Sequence, residues 1–230
     1  MSPHSETTEE PGDNEPGTGS ARRPGLRERK KTATMRHVQA TALDLFETQG
    51  FDAVSIEQVA KEADVSPSTI YRYFGTKEGL VLHDAYDDRL LDALRRNLLA
   101  EKSLATSVTA ALDEIWDEHF VEDAAETARR IRLFFEIPAV HAQLSLLIDE
   151  QIDEIAQTIT ATGRHGFPRA RVLTSAVVWA TIGILRNWYD AGPGEDLSSV
   201  RQGIEEFIGW LSTVEGACPA AKTRSQAPRE

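Results

Sequence analysis

The feature that most restricts the fold of this chain is the spacing of its apolar residues, which recur every three or four positions from about Leu26 to residue 214. This spacing places apolar side chains on one face of an α-helix, whereas a half-buried strand would require strict alternation. No segment has a convincing period of two, and no internal repeat is present. The sequence therefore predicts an all-α fold of about nine helices.

Capping residues, glycines and prolines divide this pattern into segments. Gly50 ends the first helix, and Gly192, Pro193 and Gly194 break the chain before the last one. Between them we predict a helix from Ser55, a short helix ending near Phe74, and helices over 77–100, 104–121, 123–136, 138–163, 168–190 and 197–214. The predicted domains are 26–76 and 77–214. Residues 1–25, which are rich in Pro and Gly, are predicted to be disordered, and 215–230 to form a flexible tail.

The net charge of −12 is unevenly distributed. Residues 1–20 carry −5, residues 21–82 carry +2 and residues 83–230 carry −9. Between residues 21 and 36 there are seven bases and one acid. Because phosphate attraction acts over about one Debye length, roughly 8–10 Å, only the N-terminal third is suited to nucleic acid.

Several classes of protein are disfavoured. The first 20 residues hold no apolar run of signal-peptide type, and the stretch 176–185 is too short to cross a bilayer, so we expect a cytoplasmic protein without membrane contact. Cys218 is the only cysteine, and the six histidines form no HExxH pair. We therefore expect no metal, no cofactor and no enzymatic activity. An enzyme, or a helical adaptor with a degenerate DNA-binding domain, is the alternative, and DNA binding would discriminate between these classes.

Residues 55–74 have the pattern of two short helices joined by a tight turn. Ser55 is placed to cap the first helix, with Gln58 reaching back as in a capping box. Asp64 tolerates left-handed geometry in the turn, and Ser66 is placed to cap a second helix that has Pro67 at its first position. This is the geometry of a helix-turn-helix whose second helix enters the major groove of DNA.

The outward residues of the second helix follow from its period. Ile70 and Phe74, four apart, face the core. This leaves Ser68, Thr69 and Arg72 directed outward, with Tyr71 and Tyr73 on the flanks.

Residues 30–82 resemble the TetR family of transcriptional regulators. The signature positions that match are Phe51, Ser55, Ile56, Val59, Ala60, Ala63, Val65, Ser66, Thr69, Tyr71, Phe74, Lys77 and Leu80. One departure is Asp64, where the family usually has glycine. The resemblance implies a three-helix DNA-binding domain that contacts double-stranded operator DNA through Ser55, Pro67, Ser68, Thr69, Tyr71, Arg72, Tyr73 and Lys77.

Some of these assignments have alternatives. Arg72 can read guanine or bind a phosphate. Tyr73 could instead be a half-buried prop for the helix pair, Pro67 a first-turn residue only, and Lys77 a solvated lysine. The basic end of the N-terminal extension, which includes Arg29 and Lys30, either reaches DNA or is a solvated run of charge.

Beyond residue 82 the resemblance implies a helical regulatory domain and a homodimer formed by the last two helices. The apolar stripes suited to that dimer are Trp179, Ile182, Leu185, Trp188, Val200, Ile204, Phe207, Ile208 and Leu211. A dimer would present two recognition helices about one DNA turn apart.

A second set of residues could line a ligand cavity: Trp116, Phe120, Phe134, Phe135, Val140, Leu144, Leu147 and Trp179, with Asn187, Arg186 and His141 as polar anchors. Ordinary core packing explains most of them equally well. The stretch 130–144 resembles regulators that bind acyl-CoA-like ligands, which favours a long apolar or acyl ligand over a cationic drug. The predicted function is a repressor whose operator binding is released by such a small molecule.

Overall fold

The computed structural model describes residues 26–100, 102–192, 194 and 196–217. Helices account for its regular structure, without a strand in these ranges, which confirms the all-α prediction. The segments predicted to be disordered or flexible lie largely outside the described residues. The helices are α1 (Leu26–Gln49), α2 (Ile56–Glu62), α3 (Pro67–Phe74), α4 (Gly79–Leu82), α5 (Asp87–Leu99), α6 (Leu104–Trp116), α7 (Ala124–Glu136), α8 (Pro138–Ala161), α9 (Phe167–Asp190) and α10 (Ser198–Ala217).

The single helix predicted over 77–100 is wrong, because the chain breaks between α4 and α5. The backbone at His83 is extended, with ψ of 124°. The Asp84 carboxylate accepts a hydrogen bond from the Tyr86 backbone N–H at 2.8 Å, and the His83 carbonyl accepts one from Arg130 at 2.7 Å. These partners replace bonds that a continuous helix would make internally, and Arg130 is too remote in sequence for periodicity to reveal it.

A second departure lies at the end of the predicted helix 104–121. There α6 ends at Trp116, and the chain continues through a π-helical turn (Asp117–Glu122). The Asp123 N–H donates to the Glu118 carbonyl at 3.0 Å, five residues back, as a π-helix requires. The turn carries the buried residue His119.

The helix pair α2–α3 follows the predicted local signals. Ser55 caps α2 by accepting from the Gln58 N–H at 3.1 Å, and Ser66 caps α3 by accepting from the Thr69 N–H at 3.2 Å. Asp64 has a φ of 52° in the turn between them. The capping box is only half formed, since the Gln58 side chain donates to Gln49 Oε1 at 2.9 Å instead of reaching back to Ser55.

The first core joins the two predicted domains. It contains the inner faces of α1 to α3 and also Leu80 and Val81 from α4, so it extends beyond the predicted boundary at 76. Leu133, Phe134 and Val140, from α7 and α8, are buried in the same cluster. Helices α7 and α8 therefore pack directly against the helices of the small domain.

Within the described residues, no single helix has both the length and the apolar composition to cross a membrane. The pair α7 and α8 meets that test only when joined across its 100° bend.

Candidate nucleic-acid interface and ligand cavity

The exposed side of α3 carries the predicted DNA-contacting residues. Ser68 and Arg72 are exposed, Tyr71 is 51% exposed, and Thr69 and Tyr73 are half-buried. We call these five residues the reading face. The Ser66 hydroxyl lies 2.8 Å from that of Ser68 and 2.9 Å from that of Thr69, so the first turn presents a connected group of hydroxyls. Of the other predicted contacts, Pro67 and Ser55 are exposed at the starts of α3 and α2.

Tyr73 supports both the helix pair and its neighbour Arg72. Its ring packs against the first core, and its hydroxyl accepts a hydrogen bond from Arg72 Nη2 at 3.1 Å. The Arg72 guanidinium lies 4.6 Å from the ring centroid, and the Lys31 ammonium lies 5.7 Å from it. Tyr73 thus has the half-buried position that the alternative interpretation requires and contacts Arg72, while its predicted contact with DNA stays a prediction.

Lys77 has a structural role that its sequence did not reveal. Its ammonium donates to the carbonyls of Phe51 at 2.9 Å and Val54 at 3.1 Å, and it lies 4.1 Å from the Phe51 ring centroid. These contacts join the loop before α2 to the loop after α3. The predicted phosphate contact would have to compete with them.

Arg29 and Lys30 are exposed on the first turns of α1. The part of the basic segment that begins at Leu26 is therefore helical and not an extended arm. Residues 22 and 23, which complete the predicted basic end, lie outside the described residues.

The larger domain contains a cavity of about 320 Å³. Four of the predicted ligand residues line it: Phe120, Phe134, Leu144 and Leu147. Leu90, Leu112, Ile115 and Ile148 contribute further apolar wall. Val81 and Leu82 of α4 also line it, so the cavity borders the first core.

The other seven predicted ligand residues do not line this cavity. Val140 is buried in the first core, His141 stacks on the Phe134 ring at 4.8 Å, and Arg186 pairs with Asp190 at 2.9 Å. Trp116 stacks on Phe120 at 4.4 Å and lies beneath the Arg201 guanidinium, at a separate groove beside α10. Phe135 packs against Tyr189 at a ring distance of 5.3 Å. Trp179 and Asn187 are exposed on α9. The spacing of aromatic residues identified apolar faces but not which faces meet around the same space.

Sequence reasoning missed the charged residues of this cavity, which we call its polar end: Asp84, Asp87, His119 and Arg130. Asp84 Oδ2 lies 2.8 Å from Arg130 Nη2 and 3.0 Å from His119 Nε2. His119 Nδ1 lies 3.2 Å from the Thr127 hydroxyl. No sequence signal pointed to this group, because neither the break between α4 and α5 nor the turn that carries His119 was predicted.

The two carboxyl groups of the polar end differ in their ionisation. Burial favours the neutral form of Asp84, but the Arg130 guanidinium and the hydrogen bond from His119 outweigh it and hold the pKa of Asp84 below its usual range. Desolvation by the surrounding protein and the nearby Asp84 carboxylate raise the pKa of Asp87 above its usual range, although the residue is exposed to solvent. Burial and the hydrogen bond to Asp123 raise the pKa of the adjacent Tyr86 to about 12.

Hydrogen bonds connect this polar end to α1. Gln39 Nε2 donates to the Leu80 carbonyl at 3.1 Å and to the His83 carbonyl at 2.7 Å. The His83 carbonyl is also an acceptor for Arg130 Nη1. Near the surface, Arg129 pairs with Asp44 at 2.6 Å and Glu47 at 2.7 Å. Arg129 thus attaches α7 directly to α1, whereas Arg130 reaches α1 only through the His83 carbonyl that it shares with Gln39.

The outer faces of α9 and α10 expose large apolar side chains. Val172 is 67% exposed, Trp179 45%, Trp210 57% and Val214 37%. Most of the stripe predicted for the dimer faces inward instead: Ile182 and Leu185 line the cavity, and Trp188, Val200, Ile204 and Leu211 are buried. A helical period gives the separation of residues along a face, but it does not tell which of two apolar faces is turned outward.

Two family models match the chain in the regions just described. Residues 39–83, which include the helix pair, match bacterial regulatory proteins of the tetR family. Residues 102–211 match the MftR C-terminal domain. The chain belongs to the TetR family. This confirms the resemblance seen in the sequence, and it makes the chain a TetR-family transcriptional regulator.

Curated relatives support the same assignment. The regulator is 29% identical over 179 residues to the transcriptional regulator TcmR of Streptomyces glaucescens, covering 72% of this chain and 77% of TcmR. It is 24% identical to the transcriptional regulator MftR of Mycobacterium tuberculosis over 70% of this chain and 81% of MftR. It is 25% identical to the transcriptional activator FasR of Mycolicibacterium smegmatis over 93% of this chain and 98% of FasR.

Proposed function

We propose that this TetR-family regulator is a homodimeric repressor that binds operator DNA through α3 and is released from it by a small molecule bound in the cavity. It has no catalytic role in this proposal. The observation that carries it is the hydrogen-bonded connection between the cavity and the DNA-binding domain through Arg130, the His83 carbonyl and Gln39.

The cavity and the reading face are linked by a short mechanical path. Val81 and Leu82 line the cavity at the end of α4, and α4 follows α3 after Gly75, which has a φ of 72°. A ligand that displaces α4 therefore shifts α3 relative to the rest of the larger domain. In a dimer this changes the separation of the two reading faces, which must fit successive turns of the major groove. The ligand acts only if it binds the released state more tightly.

The proposed ligand has an apolar body. The walls of the cavity are mainly aliphatic and aromatic, and its volume of about 320 Å³ lies at the lower end of the range for small-molecule sites. Arg130 is the only arginine or lysine among its described lining residues, and it is already paired. The predicted acyl ligand fits the walls, but the phosphates of coenzyme A would lack a basic cluster.

The proposed dimer uses the outer faces of α9 and α10. Val172 and Trp179 lie two turns apart on α9, and Trp210 and Val214 lie one turn apart on α10, so each helix exposes an apolar stripe. Burial of these side chains against a second copy would remove them from water. Trp210→Glu is expected to produce monomers in sedimentation velocity and to weaken operator binding; a dimer of unchanged stability would contradict this interface.

The experiment that tests the function begins with selection of genomic fragments by the purified protein, followed by footprinting of the bound sites. We expect a protected pseudo-palindrome with half-sites about one helical turn apart. Organic extracts of the producing cells are then added to the complex. Sequence-independent DNA binding would overturn the regulator's proposed operator role, and a cavity ligand that leaves operator affinity unchanged would overturn the release mechanism.

A second candidate function is activation, and the name of one relative favours it. FasR, which aligns over nearly the whole chain, is a transcriptional activator. Transcription in vitro from a promoter that contains the footprinted site separates the two. Repression predicts less transcript when protein is added, and activation predicts more.

A further inference from the structure

The cations at the start of α1 lack the acidic partners that cations elsewhere in the protein have. Four of them are exposed on its first two turns: Arg27, Arg29, Lys30 and Lys31. Within the described part of the chain, none of the four forms an ion pair with a carboxylate. In the larger domain, by contrast, Arg95 pairs with Glu154 at 2.6 Å and Arg96 pairs with Glu114 at 2.7 Å.

This group of cations continues onto the reading face through Tyr73. The Lys31 ammonium lies 5.7 Å from the centroid of the Tyr73 ring, and the Arg72 guanidinium lies 4.6 Å from the same centroid. Arg72 donates to the Tyr73 hydroxyl and, among the described residues, likewise forms no ion pair. We call the five cations together the basic surface: Arg27, Arg29, Lys30, Lys31 and Arg72.

The basic surface is unfavourable for α1 unless an anion covers it. Arg27 and Lys31 are four residues apart on one helix, where like charges repel. Positive charges in the first turns also oppose the helix dipole, whose positive end lies at the N-terminus. The phosphates of DNA would relieve both effects, and in the absence of DNA another anion can do the same.

The chain itself carries such an anion directly before α1. Residues 1–20, which we call the acidic segment, contain no lysine or arginine and five acids: Glu6, Glu9, Glu10, Asp13 and Glu15. Glu15 precedes Leu26 by eleven residues, and a chain of that length spans up to about 36–40 Å when extended. The helix rises only about 8 Å between Leu26 and Lys31. The whole basic surface is therefore within reach of the acidic segment.

We propose that the acidic segment binds the basic surface when DNA is absent and competes with operator phosphates for it. Carboxylates form charge-assisted hydrogen bonds with arginine and lysine, as phosphates do. Because the segment is covalently attached, its effective concentration at the surface is on the order of millimolar, so a weak contact is sufficient. The competition rests on the proposed operator binding, whereas the docking of the segment does not.

Docking is measured by paramagnetic relaxation in the full-length protein. A nitroxide is attached at Ser5→Cys in a Cys218→Ser background, which leaves one thiol. At about 50 mM salt we expect broadening of the backbone amides of 71–73 in α3. At about 500 mM salt the Debye length falls to about 4 Å, and the broadening should largely disappear. Arg29→Gln with Lys30→Gln should reduce it, whereas Lys102→Gln, at an exposed cation of the larger domain, should not.

A five-amide variant is the matched control, because it keeps the length of the segment and removes its charge. Its substitutions are Glu6→Gln, Glu9→Gln, Glu10→Gln, Asp13→Asn and Glu15→Gln. The broadening in this variant should fall to the level that high salt leaves in the wild type. Its operator affinity, measured by fluorescence anisotropy at about 50 mM salt, should exceed that of the wild type by about three- to tenfold. The two affinities should converge at about 500 mM salt.

The outcomes separate docking, competition and the function beneath them. Equal broadening in the wild type and the five-amide variant would overturn docking, even if DNA affinity changed through long-range repulsion alone. Broadening of an isotope-labelled copy by a nitroxide on a second copy would overturn docking within one chain. Docking with unchanged operator affinity would overturn the competition. Acid-dependent broadening in a protein that binds no operator would support docking and contradict the proposed DNA-binding role.

Discussion

The helix pair α2–α3 and the polar end of the cavity are built from contacts of very different range. Ser55 and Ser66 cap their helices through residues three positions ahead. At the polar end, Arg130 reaches His83 and Asp84 across 47 and 46 residues, and Gln39 reaches Leu80 and His83 across 41 and 44. The reading face is therefore specified locally, whereas the polar end exists only when α1, the α4–α5 loop and α7 are assembled.

The largest effect is expected where the long-range contacts converge. Arg130→Met leaves Asp84 without its guanidinium and the His83 carbonyl without one of its donors. Because the Arg130 side chain is only 12% exposed, we expect the free energy of unfolding to fall by about 3–5 kcal/mol in urea titrations. Arg129→Met is the matched control, since its partners lie nearer the surface, and it should cost less. Equal losses of unfolding free energy in the two variants would show that the buried contacts of Arg130 stabilise the protein no more than the more exposed contacts of Arg129.

In the locally specified helix pair α2–α3, the largest expected effect of a substitution is on DNA affinity and not on the free energy of unfolding. Arg72→Ala is expected to weaken operator binding by about 1–3 kcal/mol in fluorescence anisotropy, with the unfolding midpoint nearly unchanged. Relaxed specificity at one base pair would identify a base contact. Uniform weakening with a reduced salt dependence would identify a phosphate contact. If operator affinity does not change, Arg72 is not part of the reading face.

Removal of a cap tests how far a local change spreads. Ser66→Ala deletes the acceptor for the Thr69 N–H and should lower the free energy of unfolding by about 1 kcal/mol. The affinity of the cavity for a small apolar probe such as octanol, measured by isothermal titration calorimetry, should stay as in the wild type, because this bond links neighbours in sequence. A parallel loss of cavity binding would contradict the contrast between local and long-range construction.

The smallest effect is expected in the turn. Asp64 has a φ of 52°, a conformation that costs a non-glycine residue about 1–2 kcal/mol, while glycine costs the unfolded chain about 0.5–1 kcal/mol in extra entropy. Asp64→Gly should therefore stabilise the protein by about 0.5 kcal/mol, measured by thermal unfolding. Asp64→Ala, which keeps the strain, is the control and should be less stable than the glycine variant.

The same contrast explains what the sequence could predict. The caps at Ser55 and Ser66, the left-handed turn at Asp64 and the core positions Ile70 and Phe74 depend on neighbours within one or two helical turns. Their pattern is sufficient to predict the helix pair.

The remainder depends on packing between remote segments. Apolar spacing placed Ile182 and Leu185 of α9 on a common face, but it could not show that this face borders the cavity while Trp179 is exposed. The helix breaks at His83, where the backbone carbonyl accepts a hydrogen bond from Arg130 of a remote helix. Such features require knowledge of which helices are neighbours, and periodicity within one helix does not contain it.

The π-helical turn at 117–122 makes the length of this segment as consequential as its composition. A π turn accommodates about one more residue than an α-helical turn in the same rise. Deletion of one residue after His119, such as Val121, would let the segment close as an ordinary α-helical turn with the flanking helices close to their present positions. The residues inside the turn would then follow the α-helical spacing of about 100° per residue, which changes the directions of their side chains, including the contact of His119 with Asp84. Relatives that differ here by one insertion or deletion should therefore have a differently constructed polar end, even where every neighbouring side chain is identical.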